Sequence, residues 1–522
     1  MKNEFNATIL IHTSYSRWPM LSYELDIIQR ELDKNNKVII LYCNGQDHYC
    51  PANNINPEDK IKKRYCSECS SKFFRGMKWL KSKPNQIQIT PYDFVADREI
   101  RVIESVNALL EKKEKSIENI KETLDTIHEV IFNSSYSQLL TELRSSYISI
   151  NENWTFFKKL INNGLISFFS AKEHLKNFSP DYIFIFNGRI ARYQPLMRLA
   201  QSMGIDFYIY EYPKNNYYQY TFVKNFLTHD IKTYSSFLKE LLNEASPSKK
   251  EIAVLAGKWY KNRRGFNLDS LAGRRMRQAV KLSKKNEKDE LFLQLNNKKI
   301  VTFYVSSPYE MIAIPENEEI NDLDQFELIY KLIKDFPSLT FVCRLHPMMT
   351  GIEAGFVKKF IDFKNTKKLK NIHIIEPNDT MDSYELLNIS DLILTCGSTI
   401  GAEAAYIGKP VLVYGLAYYM NFGCAKNVSI YSDLEKILKK ILQNDWSDFP
   451  IEERRIEGAS NFAWAFINQG REPKYINKNS SYFDPILTRE GSFERIKANF
   501  FIRKFNFLVD LQKRIFRRII KY

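Results

Sequence analysis

The sequence predicts an α/β protein of two Rossmann-like lobes, with a helical insertion and a C-terminal helix. Three observations carry that expectation. Apolar runs that suit buried strands alternate with helical periodicity from Ala7 to Leu41. The same alternation resumes at Lys299 after a long polar stretch. Between them in importance stands Asp391–Gly415, DLILTCGSTIGAEAAYIGKPVLVYG, a complete strand–turn–helix–strand unit of a parallel sheet. A chain of 522 residues is long enough for two or three such domains.

Taken in order, Ala7–Ile11 reads as a buried strand and His12–Arg17 as a polar loop. Leu21, Leu25, Ile28 and Leu32 recur at helical spacing, and Val38–Leu41 is the next strand. The loop after the first strand lacks the Gly-x-Gly-x-x-Gly fingerprint, which argues against a dinucleotide cofactor. Residues 97–175 are rich in Glu, Lys, Leu and Ile and read as an inserted set of helices. Asp181–Phe186 and Phe207–Tyr210 are further strands, joined by a helix through Met203. Residues 1–215 thus form the first lobe and 216–297 a connecting region. Residues 298–475 form the second lobe, and 476–522 a basic tail.

In the second lobe the expected strands are Ile300–Val305, Leu339–Cys343, Ile372–Ile375, Leu392–Leu394 and Val411–Tyr414. The expected helices are Gln325–Lys334, Asp382–Asn388 and Gly401–Tyr406. Ligands of open parallel sheets bind beyond the carboxyl ends of strands. That rule selects Ser306-Ser307, Arg344-Leu345-His346-Pro347 and Ser398-Thr399 in this lobe, and His12, Asn187, Arg189 and Glu211 in the first. A small-residue turn entering a helix offers backbone N–H groups that suit a phosphate, and Glu403 lies where a carboxylate reaches a ribose hydroxyl. Arg344 and His346 are groups that stabilise charge on a departing phosphate. The alternative for Arg189 is that it, with Arg192, only caps or solvates the following helix. Glu211 and His12 are the candidate bases of the first lobe.

Cys43, Cys50, Cys66 and Cys69 follow the second strand. Only Cys66 and Cys69 have the Cys-x-x-Cys spacing of a zinc knuckle. Two readings stay open, a structural zinc held by four thiolates and four reduced cysteines. A catalytic metal is not expected, because four cysteines would close the site. Seven cysteines at uneven spacing do not form a disulfide framework.

The net charge of +15, from 76 basic and 61 acidic residues, favours a polyanionic partner. Basic residues beside Tyr217, Tyr218 and Tyr220 raise nucleic acid as a candidate, but no nucleic-acid-binding motif accompanies them. A P-loop is excluded, since Gly408-Lys409 is followed by Pro410. No cleavable leader pattern and no spanning apolar segment is visible, so the expected location is the cytoplasm. Residues 494–522 hold nine basic against two acidic residues. Phe501, Phe505, Leu508, Ile515, Phe516 and Ile519 recur among them near helical spacing. This pattern suits peripheral attachment to the anionic inner face of the cytoplasmic membrane; the alternative is a helix packed on the core.

Ser306-Ser307 with Glu310, Gln325, Arg344-Leu345-His346-Pro347, Asp382-Ser383-Tyr384 and Ser398-Thr399-Ile400-Gly401-Ala402-Glu403-Ala404 together resemble the bacterial capsule polysaccharide biosynthesis family. Gly408-Lys409-Pro410-Val411 and the Gly415, Tyr418, Gly423 run fit it as well. That family includes Kdo transferases of capsule assembly, and its His-Pro and Ser-Thr motifs are similar to those of bacterial sialyltransferases. The resemblance is specific over residues 299–425 and looser over 1–211. It implies a GT-B fold, two lobes facing across a cleft, and transfer of sugar from a nucleotide-sugar donor to a glycan or glycolipid acceptor. By the same resemblance His346, Ser398 and Thr399 contact the donor phosphate and Glu403 the ribose. A nucleotide-sugar epimerase, a glycerophosphotransferase and a non-catalytic polyanion-binding protein are the alternatives.

Overall fold

The computed structural model describes residues 4–13, 20–45, 49–50, 60–125, 129–145, 148–211, 219–264, 299–306, 308–317, 321–349, 355–366, 371–379, 381–475, 487–489 and 492–494. These divide into two compact units. One comprises the described residues of Met1–Glu142, Ser149–Leu227 and Gly470–Tyr522. The other comprises those of Leu143–Ile148 and Thr228–Gln469.

In the first unit the strands are β1 (Thr8–His12), β2 (Lys37–Tyr42), β3 (Ile87–Pro91), β4 (Tyr182–Phe186), β5 (Asp206–Glu211), β6 (Tyr220–Lys224) and β13 (Gly470–Arg471). Their order is β13-β6-β5-β4-β1-β2-β3. The five strands β1–β5 pair in parallel, while β6 and β13 are antiparallel additions. Ile9, Leu10 and Ile11 are fully buried, as are Ile39, Ile40, Ile183 and Ile185, which explains the uninterrupted apolar runs of these strands. Helix α1 (Met20–Asp33) turns Leu21, Leu25, Ile28 and Leu32 inward at the expected spacing. The predicted helical insertion is present between β3 and β4 as α3 (Asp97–Lys112), α4 (Ile117–Asp125), α5 (Glu129–Leu143) and α6 (Trp154–Phe178). The cysteine segment contains α2 (Lys60–Met77), a helix the sequence reading did not place.

The last strand closes this sheet from far along the chain. Gly470 and Arg471 pair with Thr221 and Tyr220. Three residues on, the amides of Lys474 and Tyr475 donate to Asp26 Oδ1 at 2.6 and 2.8 Å. Asp26 is fully buried, and its other oxygen accepts from Arg30 Nε at 2.8 Å.

The second unit holds β7 (Ile300–Tyr304), β8 (Thr340–Arg344), β9 (Ile372–Ile375), β10 (Leu392–Thr395), β11 (Val411–Tyr414) and β12 (Lys426–Val428). The order is β12-β11-β10-β7-β8-β9, with every pairing parallel. Two right-and-left halves therefore diverge from the β7–β10 pair, the strand order of a Rossmann sheet. Val301, Phe303, Phe341, Leu392, Leu394 and Leu412 form its core with Leu328 and Leu332 of α10 (Gln325–Asp335) and Phe336 just after it. That helix begins where Asp324 and Glu327 make a reciprocal capping box.

The expected connecting region of 216–297 is divided. Its β6 belongs to the first sheet, whereas α8 (Ile231–Ala245) and α9 (Lys249–Arg264) belong to the second unit. Trp259 of α9 packs edge-on against Phe462 and Phe466 of α15 (Glu452–Asn468), and Tyr260 OH donates to Ala459 O at 2.9 Å. Apolar burial against α15 thus places α9 in the second unit. Residues 265–297 lie outside the described residues, as does the tail except for a hairpin of β14 (Leu487–Arg489) and β15 (Ser492–Glu494).

The turn after β10 is fixed by close packing. Gly397 has φ +94°, and a Cβ there would strike Leu416 O. A Cβ on Gly401 would strike the Tyr419 hydroxyl, which donates to Ser398 O at 3.0 Å. Gly401→Ala is expected to cost roughly 2 kcal/mol by overpacking and to lower the melting temperature by about 5 °C. Thermal denaturation of the full chain checks this; an unchanged melting temperature would mean that Tyr419 moves freely.

Candidate functional site

In the second unit the strand order reverses between β7 and β10, so the crevice of the sheet opens at their carboxyl ends. Ser306 follows β7, Arg344 ends β8 and is followed by His346, and Thr395 to Thr399 follow β10. The residues singled out on separate strand ends therefore share one edge of one sheet. Ser307 lies outside the described residues.

Ser306 is held by Gln325, whose Oε1 accepts from Ser306 N at 2.9 Å and whose Nε2 donates to Ser306 O at 3.3 Å. Ser306 Oγ is buried without a hydrogen-bond partner among the described residues. Arg344 is buried, and Nη1 and Nη2 donate to the carbonyls of Glu376 and Asp379. Its Nε is also buried and without a partner among the described residues. Two orphaned polar atoms on adjacent strand ends are an unusual cost in a core.

His346 is partly exposed. Its dense surroundings, with the guanidiniums of Arg344 and then Arg263, press its pKa down to about 4. At neutral pH it is an uncharged imidazole, able to donate one N–H but not to release a proton as an imidazolium.

The turn after β10 is less open than the sequence suggests. Thr395 Oγ1 accepts from Ser398 N at 3.1 Å and donates to Tyr304 O at 3.2 Å. Ser398 Oγ accepts from Ile400 N, Ser398 O from Gly401 N, and Thr399 O from Glu403 N. The amides of Ser398, Ile400, Gly401 and Glu403 are therefore spent inside the turn. The helix they open, α13 (Ile400–Tyr406), has seven residues. Side chains, rather than these amides, supply the cationic character of this edge.

Glu403 is buried at 4% exposure, and both carboxylate oxygens are engaged. Oε1 accepts from Arg263 Nε at 2.7 Å and lies 2.6 Å from Arg263 Nη2. Oε2 accepts from the Tyr384 hydroxyl. Arg263 Nη2 also donates to Thr399 Oγ1 at 2.9 Å, and the guanidinium lies over the Trp259 ring at 4.8 Å. Burial opposes the charge on Arg263, yet the Glu403 carboxylate outweighs it and raises the pKa. Burial, then Glu403, pushes the Tyr384 hydroxyl up, so it stays a donor. In the sequence Arg263 stands out only as half of the basic pair Arg263-Arg264. A helix breaking off at Arg264 with a cation on its last turn was the available signal.

On the other side of these residues a cavity of about 240 Å³ is lined by Tyr260, Lys261, Tyr384, Glu403, Tyr406 and Ile407, among others.

In the first unit the reversal falls between β1 and β4. His12 ends β1, Asn187 and Arg189 follow β4, and Glu211 ends β5. Asn187 takes a left-handed φ of +61°; its Nδ2 donates to Glu211 Oε1 at 2.5 Å and its Oδ1 accepts from Arg189 N at 3.1 Å. Arg189 is buried, with Nη1 donating to Ser137 Oγ and Thr141 Oγ1 of α5 at 3.1 and 2.6 Å. It ties the loop to the helical insertion instead of lining an open surface. Arg192 lies over the Tyr92 ring at 4.3 Å.

His12 is buried between the rings of Tyr92 and Tyr193. Its Nδ1 faces Thr13 O at 3.2 Å and so carries the proton, leaving Nε2 as a lone pair without a partner among the described residues. Burial, then Arg192, holds its pKa well below the ordinary value.

Cys43 and Cys66 flank Gly45. Gly45 N donates to Cys43 Sγ at 3.4 Å, and Cys66 Sγ lies 3.5 Å from where a Gly45 Cβ would stand. No disulfide joins Cys43, Cys50, Cys66 or Cys69, and among the described residues no group of three or more His, Cys, Asp or Glu is placed to hold a metal ion.

Residues 264–441 match the family model described as capsule polysaccharide biosynthesis protein. A putative UDP-N-acetylglucosamine 2-epimerase of Clostridium acetobutylicum is 33% identical over 57 residues, which are 11% of this chain and only 15% of that protein. Among solved structures the chain is similar to the beta Kdo 2,4 transferase KpsC of Thermosulfurimonas dismutans. The identity is 13% and the TM-score 0.35, over 61% of this chain and 85% of that one. It is also similar to a UDP-GlcNAc 2-epimerase from Neisseria meningitidis bound to UDP-GlcNAc. There the identity is 16% and the TM-score 0.28, over 88% of this chain and 97% of that one.

A buried neutral histidine gives a pH signature. His12 and His174 both titrate below the ordinary value because burial penalises their charge. The unfolded chain binds protons first, so stability is present above about pH 6.5 and lost as pH falls. At pH 5.5 each costs up to about 1.4 kcal/mol. Urea unfolding at pH 7.5 and 5.5 should show that loss, and His12→Gln should reduce it; an equal loss in the variant would mean that His12 is charged in the folded state.

Proposed function

From the match of residues 264–441 to the family model for capsule polysaccharide biosynthesis proteins, we infer that this chain is a glycosyltransferase of GT-B type. It would use a nucleotide-activated sugar to build a bacterial surface polysaccharide, in capsule or lipopolysaccharide. One observation carries the reading. The family segment folds into a Rossmann-order sheet whose reversal point gathers Ser306, Arg344, His346 and Thr399 at one edge, with two buried polar atoms lacking partners.

Such an edge suits the phosphate of a nucleotide-sugar. Ser306 Oγ and Arg344 Nε would gain the partner they lack, and neutral His346 would donate an N–H to a phosphate oxygen. Charge collects on that phosphate as the sugar departs, and fixed donors around it favour the transition state. His12, with a free lone pair on Nε2, has the protonation state of a base, and Glu211 is the second candidate. The 57-residue likeness to a curated epimerase supports a second reading, conversion of the nucleotide-sugar without an acceptor.

In a thermal-shift panel of CMP, UDP, GDP and CDP at least one nucleotide should stabilise the full chain, and mass spectrometry with the matching donor should find sugar on an acceptor. Absence of both would end the enzyme reading, and conversion of donor alone would favour the epimerase. His346→Ala should weaken nucleotide binding about tenfold. A bound anion raises the His346 pKa from about 4, so binding takes up a proton. Affinity for a nucleotide-sugar, whose phosphates hold no proton between pH 5 and 8, should therefore rise as pH falls from 7 to 5. A flat profile by calorimetry would mean that His346 does not face the anion.

We also propose peripheral attachment to the inner face of the cytoplasmic membrane. The basic amphipathic pattern of residues 494–522 supports it. Among the described residues no helix is long and apolar enough to cross a membrane. The full chain should co-sediment with phosphatidylglycerol vesicles in a salt-sensitive way and lose that on deletion of 494–522; unchanged co-sedimentation of the deletion would place the contact elsewhere.

A further inference from the structure

The residue at position 403 was expected to hold a ribose, but its surroundings give it other work. Neither carboxylate oxygen is open, since Arg263 takes one and Tyr384 the other. A buried carboxylate this well paired would have to give up a charge-assisted bond before it could accept a hydroxyl. The arginine is differently placed. Nε and Nη2 are committed to Glu403 and Thr399, while Nη1 makes no hydrogen bond among the described residues. The Arg263 side chain is 21% exposed, and its guanidinium carbon lies 4.8 Å from the centre of the Trp259 ring. It is fixed on two sides and open on the third, on the same edge as Thr399.

The amides of the turn add to this. Four of them are spent internally and the helix behind them is short, so the turn itself offers little to an anion. The cations near His346 are Arg344 and Arg263, and both act on it electrostatically. Arg344 is anchored by carbonyls at the end of β8. Arg263 needs an anchor from elsewhere, because it stands on the last turn of α9, one residue before the segment that matches the family.

We propose that Glu403 is a positioning residue that, with Thr399 and Tyr384, aims the Nη1 face of Arg263 at the donor phosphate, and that Arg263 takes up the charge of the leaving group. The inference rests on the glycosyltransferase reading given above. In the transfer, the acceptor oxygen bonds to the anomeric carbon as the bond from that carbon to the phosphate oxygen breaks. The bonding pair passes to the phosphate oxygen, where Arg263 donates, and the acceptor proton leaves to a base or to water. A planar guanidinium with one edge pinned presents the other edge in a fixed direction, which a flexible lysine cannot do.

The test uses the full chain with CMP and UDP and their 2′-deoxy counterparts in calorimetry, together with NMR titration of His346, assigned by its loss in His346→Gln. Arg263→Met should weaken the binding nucleotide about tenfold. Glu403→Gln should weaken ribo and deoxy forms by the same factor, and Arg263→Met/Glu403→Gln should bind no more weakly than Arg263→Met. The double variant removes both charges together and keeps the test valid if the single arginine variant folds poorly. Arg263→Met should also move the His346 titration upward, as loss of a neighbouring positive charge requires. If Glu403→Gln abolishes a preference for ribose over deoxyribose, the carboxylate holds the ribose and the inference falls. It falls equally if Arg263→Met binds nucleotide as the parent does. If the parent chain binds none of the nucleotides, the glycosyltransferase reading itself falls and takes this inference with it.

Discussion

The ion pair between Glu403 and Arg263 is the interaction on which the second unit's functional edge depends. A carboxylate at 4% exposure is tolerated only with its charge matched and both oxygens bonded. Meeting that demand draws together three stretches far apart in sequence: the end of α9, the start of the helix at Ser383–Ile389, and the turn after β10. Each stretch brings something else with it. The tyrosine helix is tied to β7 through Tyr304 OH and Ser383 O at 2.6 Å. The turn brings Thr399, and α9 brings Trp259 and its apolar contact with α15. One buried charge thereby sets the geometry of an otherwise glycine- and serine-rich edge.

Electrostatics at both sheets follow from the same economy of burial. His346 lies beside two guanidiniums and His12 beside one, and both stay uncharged at neutral pH. In the second unit this leaves the arginines as the charged groups beside His346, with the histidine a neutral imidazole. In the first unit it leaves a histidine whose lone pair is unused. The two crevices thus differ in character although both stand at the reversal point of a parallel sheet.

The central strands of both sheets were legible because a parallel strand buried on both faces writes itself as an uninterrupted apolar run, as in Ile300–Tyr304 and Val411–Tyr414. The residues at their ends were legible because serine, histidine and arginine are conspicuous after such runs. What could not be read was pairing at long range. Arg263 sits in a basic, polar stretch, and nothing local says that its partner is Glu403. Arg189 looked like a cleft residue, and only the fold shows Ser137 and Thr141 receiving its guanidinium. The turn after β10 looked open because its amides are bonded by side chains and carbonyls of the turn itself, which composition alone does not reveal. Strands β6 and β13 were missed because short antiparallel additions carry little apolar pattern, and β3 and β12 because they are partly exposed strands at the sheet edges.

The return of the chain to the first sheet has a consequence for how the protein comes into being. On the side of β6 away from β5, Tyr220 and Thr221 pair with Arg471 and Gly470, and among the described residues the amides that donate to Asp26 are those of Lys474 and Tyr475. During synthesis the amino-terminal half leaves the ribosome with an uncovered strand and a carboxylate lacking part of its shell, hundreds of codons before their partners are translated. Most of the second unit is translated in the interval. Biogenesis is therefore nested rather than serial, with the first-made domain being the last one finished.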